Sequence, residues 1–285
     1  MVAYGAETML IGCDFSSSPG KLKQIVIAHG QLLGSSVRLD RLERHQSLEE
    51  FARWLVQPGD WVGGFDLPFG LPRELVQYLD WPTDWEACMR HYAALTRPQI
   101  RALFAAFCYN RPVGGKFAHR STDKPAGSSP SMKWVNPPVA YMLHAGVPLL
   151  LDAGVCLPGL HPGSRSDVDS NGRTRRVALE AYPGLLAREI VGFKSYKSDD
   201  RKKHTPQRLE QRHKLMDALV LGQTRLKLRL ELDRAQRDLL CSDASGDGLD
   251  AVLCMMQAAW GMQQGWPWFG LPETMDPLEG WILSA

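Results

Sequence analysis

Five carboxylates stand in segments where acidic side chains are rare. Asp14 ends the apolar run MLIGCD, Asp66 ends WVGGFD, and Glu180 sits within RRVALEAYPG. Asp247 and Asp250 open the apolar stretch SGDGLDAVLCMMQAAW. Carboxylates belong in water, and burying one unpaired is costly. Acids set into several apolar segments imply one shared purpose, and holding divalent cations is the chemistry that suits them. Mg²⁺ takes oxygen ligands in octahedral geometry and is usually held by one or two carboxylates plus the substrate phosphate. Two such ions about 3.5–4 Å apart stabilise both the attacking and the leaving oxygen of an in-line displacement. The expected reaction is metal-dependent cleavage or transfer of a phosphodiester, with two Mg²⁺ or Mn²⁺ ions as cofactors. Asp14 would bridge the ions, Asp66 and Asp250 would complete the site, and Asp247 or Glu180 would add a further ligand. Asp14, Asp66, Glu180 and Asp250 are the candidate catalytic residues.

Each acid also has a purely structural reading. Asp14 and Asp66 can cap the turns that follow them, and Glu180 can pair with Arg173, Arg175 or Arg176 on a solvent-facing strand. Asp247 and Asp250, one helical turn apart, favour the dipole of the helix they open. The dipole, however, gives no reason for acids at the strand ends.

The elements that must position these residues are legible in outline. Residues 9–16 read as a buried strand, KLKQIVIAHGQ as a second and SVRLDRLERH as a weaker third, together an antiparallel meander. Ser47 with Glu50 forms a capping box for the helix LEEFARWLV, Pro58-Gly59 stops it, and WVGGFDLP returns as a strand. This order predicts an α/β fold with a mixed sheet. Helices are expected in DWEACMRHYAALT, RPQIRALFAAFCY and PVAYMLHAG, and strands in VPLLLDAGVCL and RTRRVALEAYP. Thr205 and Pro206 open a helix, and another runs from about Asp247 to Met262. Residues 226–232 alternate like a strand in a helical neighbourhood and stay open. The chain reads as a single domain, 1–285, with an inserted helical and basic-loop region at 71–145.

Composition is that of a folded soluble protein, 44% hydrophobic and 22% charged over 285 residues. A net charge of +2 favours no partner class, so the distribution of charge matters more. The six cysteines show no zinc spacing and read as reduced, which with no signal-peptide pattern and no membrane-length apolar run predicts a cytoplasmic chain with no membrane partner.

Residues 111–138 carry five Lys/Arg against one acid, and residues 188–214 carry nine against four. Both segments interleave aromatics, as suits a phosphate backbone with stacked bases, although solvated loops look the same. Lys116, Arg120 and Lys197 are expected to neutralise phosphate charge. Lys124 and Lys133 join them in binding substrate, and His119 would orient a water or protonate a leaving group. The implied partner is nucleic acid, DNA or RNA.

Gly12-Cys13-Asp14-Phe15-Ser16, Asp66, and Asp247 with Asp250-Ala251 resemble the ribonuclease-H-like superfamily, in which a strand-one Asp, a strand-four acid and a late-helix Asp hold two magnesium ions. The late helix looks most like that of Holliday-junction resolvases. More narrowly, GFDLPFGLP, EAYPG and SGDGLDAVLC are similar to the predicted RNase H-like nuclease family known as domain of unknown function 429, over Gly12 to Trp260. The resemblance implies a ribonuclease-H-like mixed five-stranded sheet flanked by helices, and a metal-dependent nuclease. Glu180 and the 71–145 insertion lie outside the minimal superfamily pattern. Two rivals share these features. An actin- or sugar-kinase-like phosphotransferase would need a second copy of the fold, and a non-catalytic nucleic-acid-binding protein would keep the fold without turnover.

Overall fold

Met9–Asp14 (β1), Ile25–Leu33 (β2) and Ser36–His45 (β3) form the expected antiparallel meander. The computed structural model describes residues 8–285; residues 1–7, on which the signal-peptide reading partly rests, lie outside them. Helix α1 (Leu48–Leu55) begins where Ser47 Oγ accepts from Glu50 N at 3.1 Å. The reciprocal arm of the expected capping box moves back one residue, because the Glu50 carboxylate accepts from Gln46 N instead. Trp61–Phe65 (β4) then pairs parallel with β1, and Arg176–Glu180 (β5) parallel with β4.

Between β4 and β5 lie α2 (Arg73–Tyr78), α3 (Trp85–Ala93), α4 (Arg97–Tyr109), the short α5 (Asp123–Ala126) and α6 (Val139–Asp152). After β5 come α7 (Pro183–Val191), α8 (Pro206–Leu221), β6 (Arg229–Glu231), α9 (Arg234–Ser242) and α10 (Asp247–Gln264). The result is one six-stranded mixed sheet in the order β5-β4-β1-β2-β3-β6, flanked by helices.

Two expectations are corrected. Up to Asp152, the strand predicted over VPLLLDAGVCL is instead the second half of α6, which runs through Pro148, while beyond the helix Cys156 bridges parallel to Val177 of β5. Leu143, Val147, Leu150 and Leu151 are buried at helical spacing, and that burial outweighs the roughly 3 kcal/mol cost of an interior proline. A short apolar run does not by itself distinguish strand from helix. The sheet also has six strands rather than five, because β6 pairs parallel with the start of β3. That resolves residues 226–232: Leu226, Leu228 and Leu230 are buried while Lys227 takes a left-handed conformation at φ 55°.

The two faces of the sheet carry separate cores. Ile11, Cys13, Ile27 and Phe65 pack with α1–α4 and α6, while Leu10, Val26, Val62 and Leu179 pack with α7–α10. The close approach of α10 is decided by glycines on adjacent strands. A Cβ on Gly12 would lie 1.9 Å from the Ala251 carbonyl, and one on its cross-strand neighbour Gly64 2.3 Å from that of Cys254. Only residues without side chains let this helix rest directly on the sheet.

Candidate functional site

Gly12 and Asp14 occupy alternate positions of β1, so Asp14 faces the side that α10 covers. Asp66 N donates to the Cys13 carbonyl at 2.9 Å, which extends the β1–β4 ladder by one residue and brings Asp66 beside Asp14. The glycine platform sets α10 so that its first turn, with Asp247 and Asp250, meets the same strand ends. Three segments far apart in sequence thus bring Asp14 and Asp66 to one cleft, with Asp247 and Asp250 buried behind its lysines Lys23 and Lys197.

Two lysines neutralise much of this charge. Lys197 Nζ contacts Asp250 Oδ2, and Tyr196 Oη donates to Asp250 Oδ1. Lys23 Nζ contacts Asp247 Oδ1 at 2.5 Å. Burial alone would lower both ammonium pKa values, but the facing aspartates outweigh it and raise them. Asp14 is left with Oδ2 buried and no hydrogen-bond partner. Burial pushes the Asp14 carboxyl well above the usual range, Asp250 adds repulsion, and Lys197 and Lys23 only partly oppose them. Asp66 is pushed up to about 7, chiefly by burial.

Glu180 belongs to a different network. Its position in β5 alternates with Leu179, and it turns to the opposite face of the sheet with Ala178. Its partner is none of Arg173, Arg175 and Arg176. Arg120 grips both Glu180 oxygens, at 2.6 and 2.8 Å, and Phe69 N donates to Oε2 at 2.9 Å. Burial raises the Glu180 pKa, against the pull of Arg120. The same guanidinium donates to Asp123 and to the Glu279 carbonyl, so its nitrogens are all engaged within the protein. Arg120 therefore ties the insertion to the sheet rather than presenting a free donor to a phosphate.

The cleft has a volume of about 440 Å³. Asp14, Asp66, Lys23 and Lys197 line it from the sheet side, while Ser128, Ser129, Pro137, Val139 and Met142 of the insertion and α6 form another wall. Glu180 and Arg120 line it as well. Lys116, His119, Lys124 and Lys133 are not among its lining residues. His119 and Lys124 border a separate depression with Glu74 and Arg111. Lys116 is exposed near Cys108, and Lys133 is half-buried where its carbonyl accepts from Ala140 N.

Sequence reading missed Lys23. The signal was present: β2 returns antiparallel with Val26 opposite Asp14, so Lys23, three residues earlier, falls at the end of the sheet that carries Asp14.

The carboxylates of Asp14, Asp66, Asp247 and Asp250 are oxygen donors of the kind Mg²⁺ and Mn²⁺ accept. Among the described residues, no three acidic, histidine or cysteine side chains stand ready as a ligand group. Asp14 Oδ2, buried without a hydrogen-bond partner, is an oxygen donor of that kind. The chain matches no protein-family model, no curated protein and no solved structure. Among the described residues, no helix is long and apolar enough to cross a membrane.

Proposed function

We propose that the cleft hydrolyses phosphodiester bonds of nucleic acid with Mg²⁺ or Mn²⁺. The observation that carries this reading is the convergence of Asp14, Asp66 and Asp250 from β1, the end of β4 and α10, with one Asp14 oxygen buried and unpartnered. The fold is compatible with it: a mixed α/β sheet flanked by helices, with β2 antiparallel and the acid-bearing α10 packed on β1. The described residues form one sheet, which weighs against a two-lobed phosphotransferase.

Asp14, Asp66 and Asp250 would hold the metal, with Asp247 beside them. Divalent ions supply water activation and stabilisation of charge on the attacking and leaving oxygens when bound. Lys23 and Lys197 partly offset the burial that raises Asp14 and Asp66. Their ammonium groups line the cleft within reach of an incoming phosphate and would offset its charge.

Thermal melting with and without Mn²⁺ tests the site. Metal that binds the folded state stabilises it by about 2.7 kcal/mol at a hundredfold excess over its dissociation constant. The wild type should shift, and Asp14→Ala should lose both the shift and any nuclease activity while remaining folded. Turnover that survives Asp14→Ala would refute the assignment. Nucleic-acid binding without turnover in any divalent metal would favour the non-catalytic reading.

A further inference from the structure

Both cleft lysines come from loops with unusual neighbours. Lys23 closes the β1–β2 turn, and Leu22 beside it is 94% exposed. Lys197 follows α7, and Phe193 on the same loop is 99% exposed. Gly192 ends α7 at φ 63°, a conformation that favours glycine, and the chain leaves the helix with the Phe193 ring in water. The ring forgoes the burial that an aromatic side chain ordinarily gains.

The two loops meet at the cleft, where Lys23 Nζ lies 3.4 Å from Asp199 Oδ1. Phe193 and Lys197 stand four positions apart, so their Cα atoms lie within about 14 Å of each other. Lys21 and Lys194, both exposed, flank the two apolar tips. The basic turn Arg201–Lys203 continues the second loop.

The cleft's size completes the picture. At about 440 Å³ it falls within the range of small-ligand sites. A nucleotide stacked inside a duplex must leave its stack to enter such a space, whereas an unpaired one need not. We propose that the substrate is single-stranded nucleic acid, with one nucleotide in the cleft and neighbouring bases packed on Phe193 and Leu22 at its mouth. This rests on the phosphodiester reading of the cleft and narrows it. Stacking on an exposed ring tolerates any base, and the flanking lysines neutralise the backbone. Apolar tips among lysines also suit an anionic lipid surface, but the exposed Asp199 and Asp200 on the same loop oppose a flat anionic sheet more than a single strand.

Fluorescence anisotropy with a labelled single strand of about 12 nucleotides, and with a hairpin duplex of matched sequence, tests the proposal in Ca²⁺. The wild type should prefer the single strand. Phe193→Ala should weaken that binding about tenfold, with affinity recovered in Phe193→Trp. Equal affinity for hairpin and single strand, or no effect of Phe193→Ala, overturns it. So does a Phe193→Ala protein that loses binding to phosphatidylserine vesicles but keeps its grip on the oligonucleotide. Hydrolysis of bis(p-nitrophenyl) phosphate by the wild type in Mn²⁺ reads the cleft chemistry separately. Hydrolysis without single-strand preference removes this inference alone, and single-strand preference without hydrolysis removes the nuclease reading alone.

Discussion

The Asp66 carboxyl, pushed up to about 7 by burial, makes stability depend on pH. An unfolded aspartate titrates near 4, so between about 4 and 7 the folded chain holds a proton that the unfolded chain has released. The stabilising contribution is whole below about pH 4 and is lost as pH rises through about 7. Asp14 acts in the same direction. His29, His45 and His144, each lowered by burial, give the opposite slope. Comparison with Asp66→Asn isolates the carboxylate. In metal-free urea unfolding, the variant should gain stability over wild type as pH rises from about 5 to 7.5, by up to about 1.4 kcal/mol per pH unit. A difference that stays flat over this range would refute the buried-acid assignment. At this scale the sequence disclosed Asp14, Asp66, Asp247 and Asp250, because acids in apolar runs are visible without coordinates. It did not disclose that lysines answer two of them, because those contacts join loops to a helix that is distant from them in sequence.

At the scale of elements, the site depends on how closely α10 lies on β1. Gly12→Ala would set a methyl group 1.9 Å from the Ala251 carbonyl, closer than any side chain tolerates. The helix must shift or the strand must bend, and overpacking of this kind costs about 1–3 kcal/mol or more. The expected outcome is a lower melting temperature together with weaker Mn²⁺ stabilisation, because Asp247 and Asp250 move with the helix. Retention of both would show that α10 does not set the geometry. Strands β1–β5, α1 and α8 were legible from apolar runs and caps, which act locally, whereas β6 was not. The extent of α6 was not, because burial of its second half overrides the proline inside it.

For the molecule as a whole, Arg120 is a clasp. It joins the insertion at Asp123 to β5 at Glu180 and to the C-terminal segment at the Glu279 carbonyl. Removing one partner of a buried ionic network leaves the others uncompensated, at about 3–5 kcal/mol. Arg120→Ala should lower the urea midpoint accordingly. Arg120→Lys should recover little, because a single ammonium cannot make the forked contacts. A variant of wild-type stability would mean that the insertion is held by its apolar contacts alone.

Glu180 shows where sequence and tertiary structure divide the work. The sequence by itself determined the α/β class, most of the strands and helices, and the acid types at their ends, since periodicity, caps and composition operate within a few residues. Tertiary structure alone decided that Asp14 and Asp66 share a face with α10 while Glu180 turns to the other. Side chains alternate along a strand, so one step of register sends an acid to the opposite side of the sheet. The partner that then claims Glu180, Arg120, lies 60 residues away in an irregular loop whose path no local pattern prescribes.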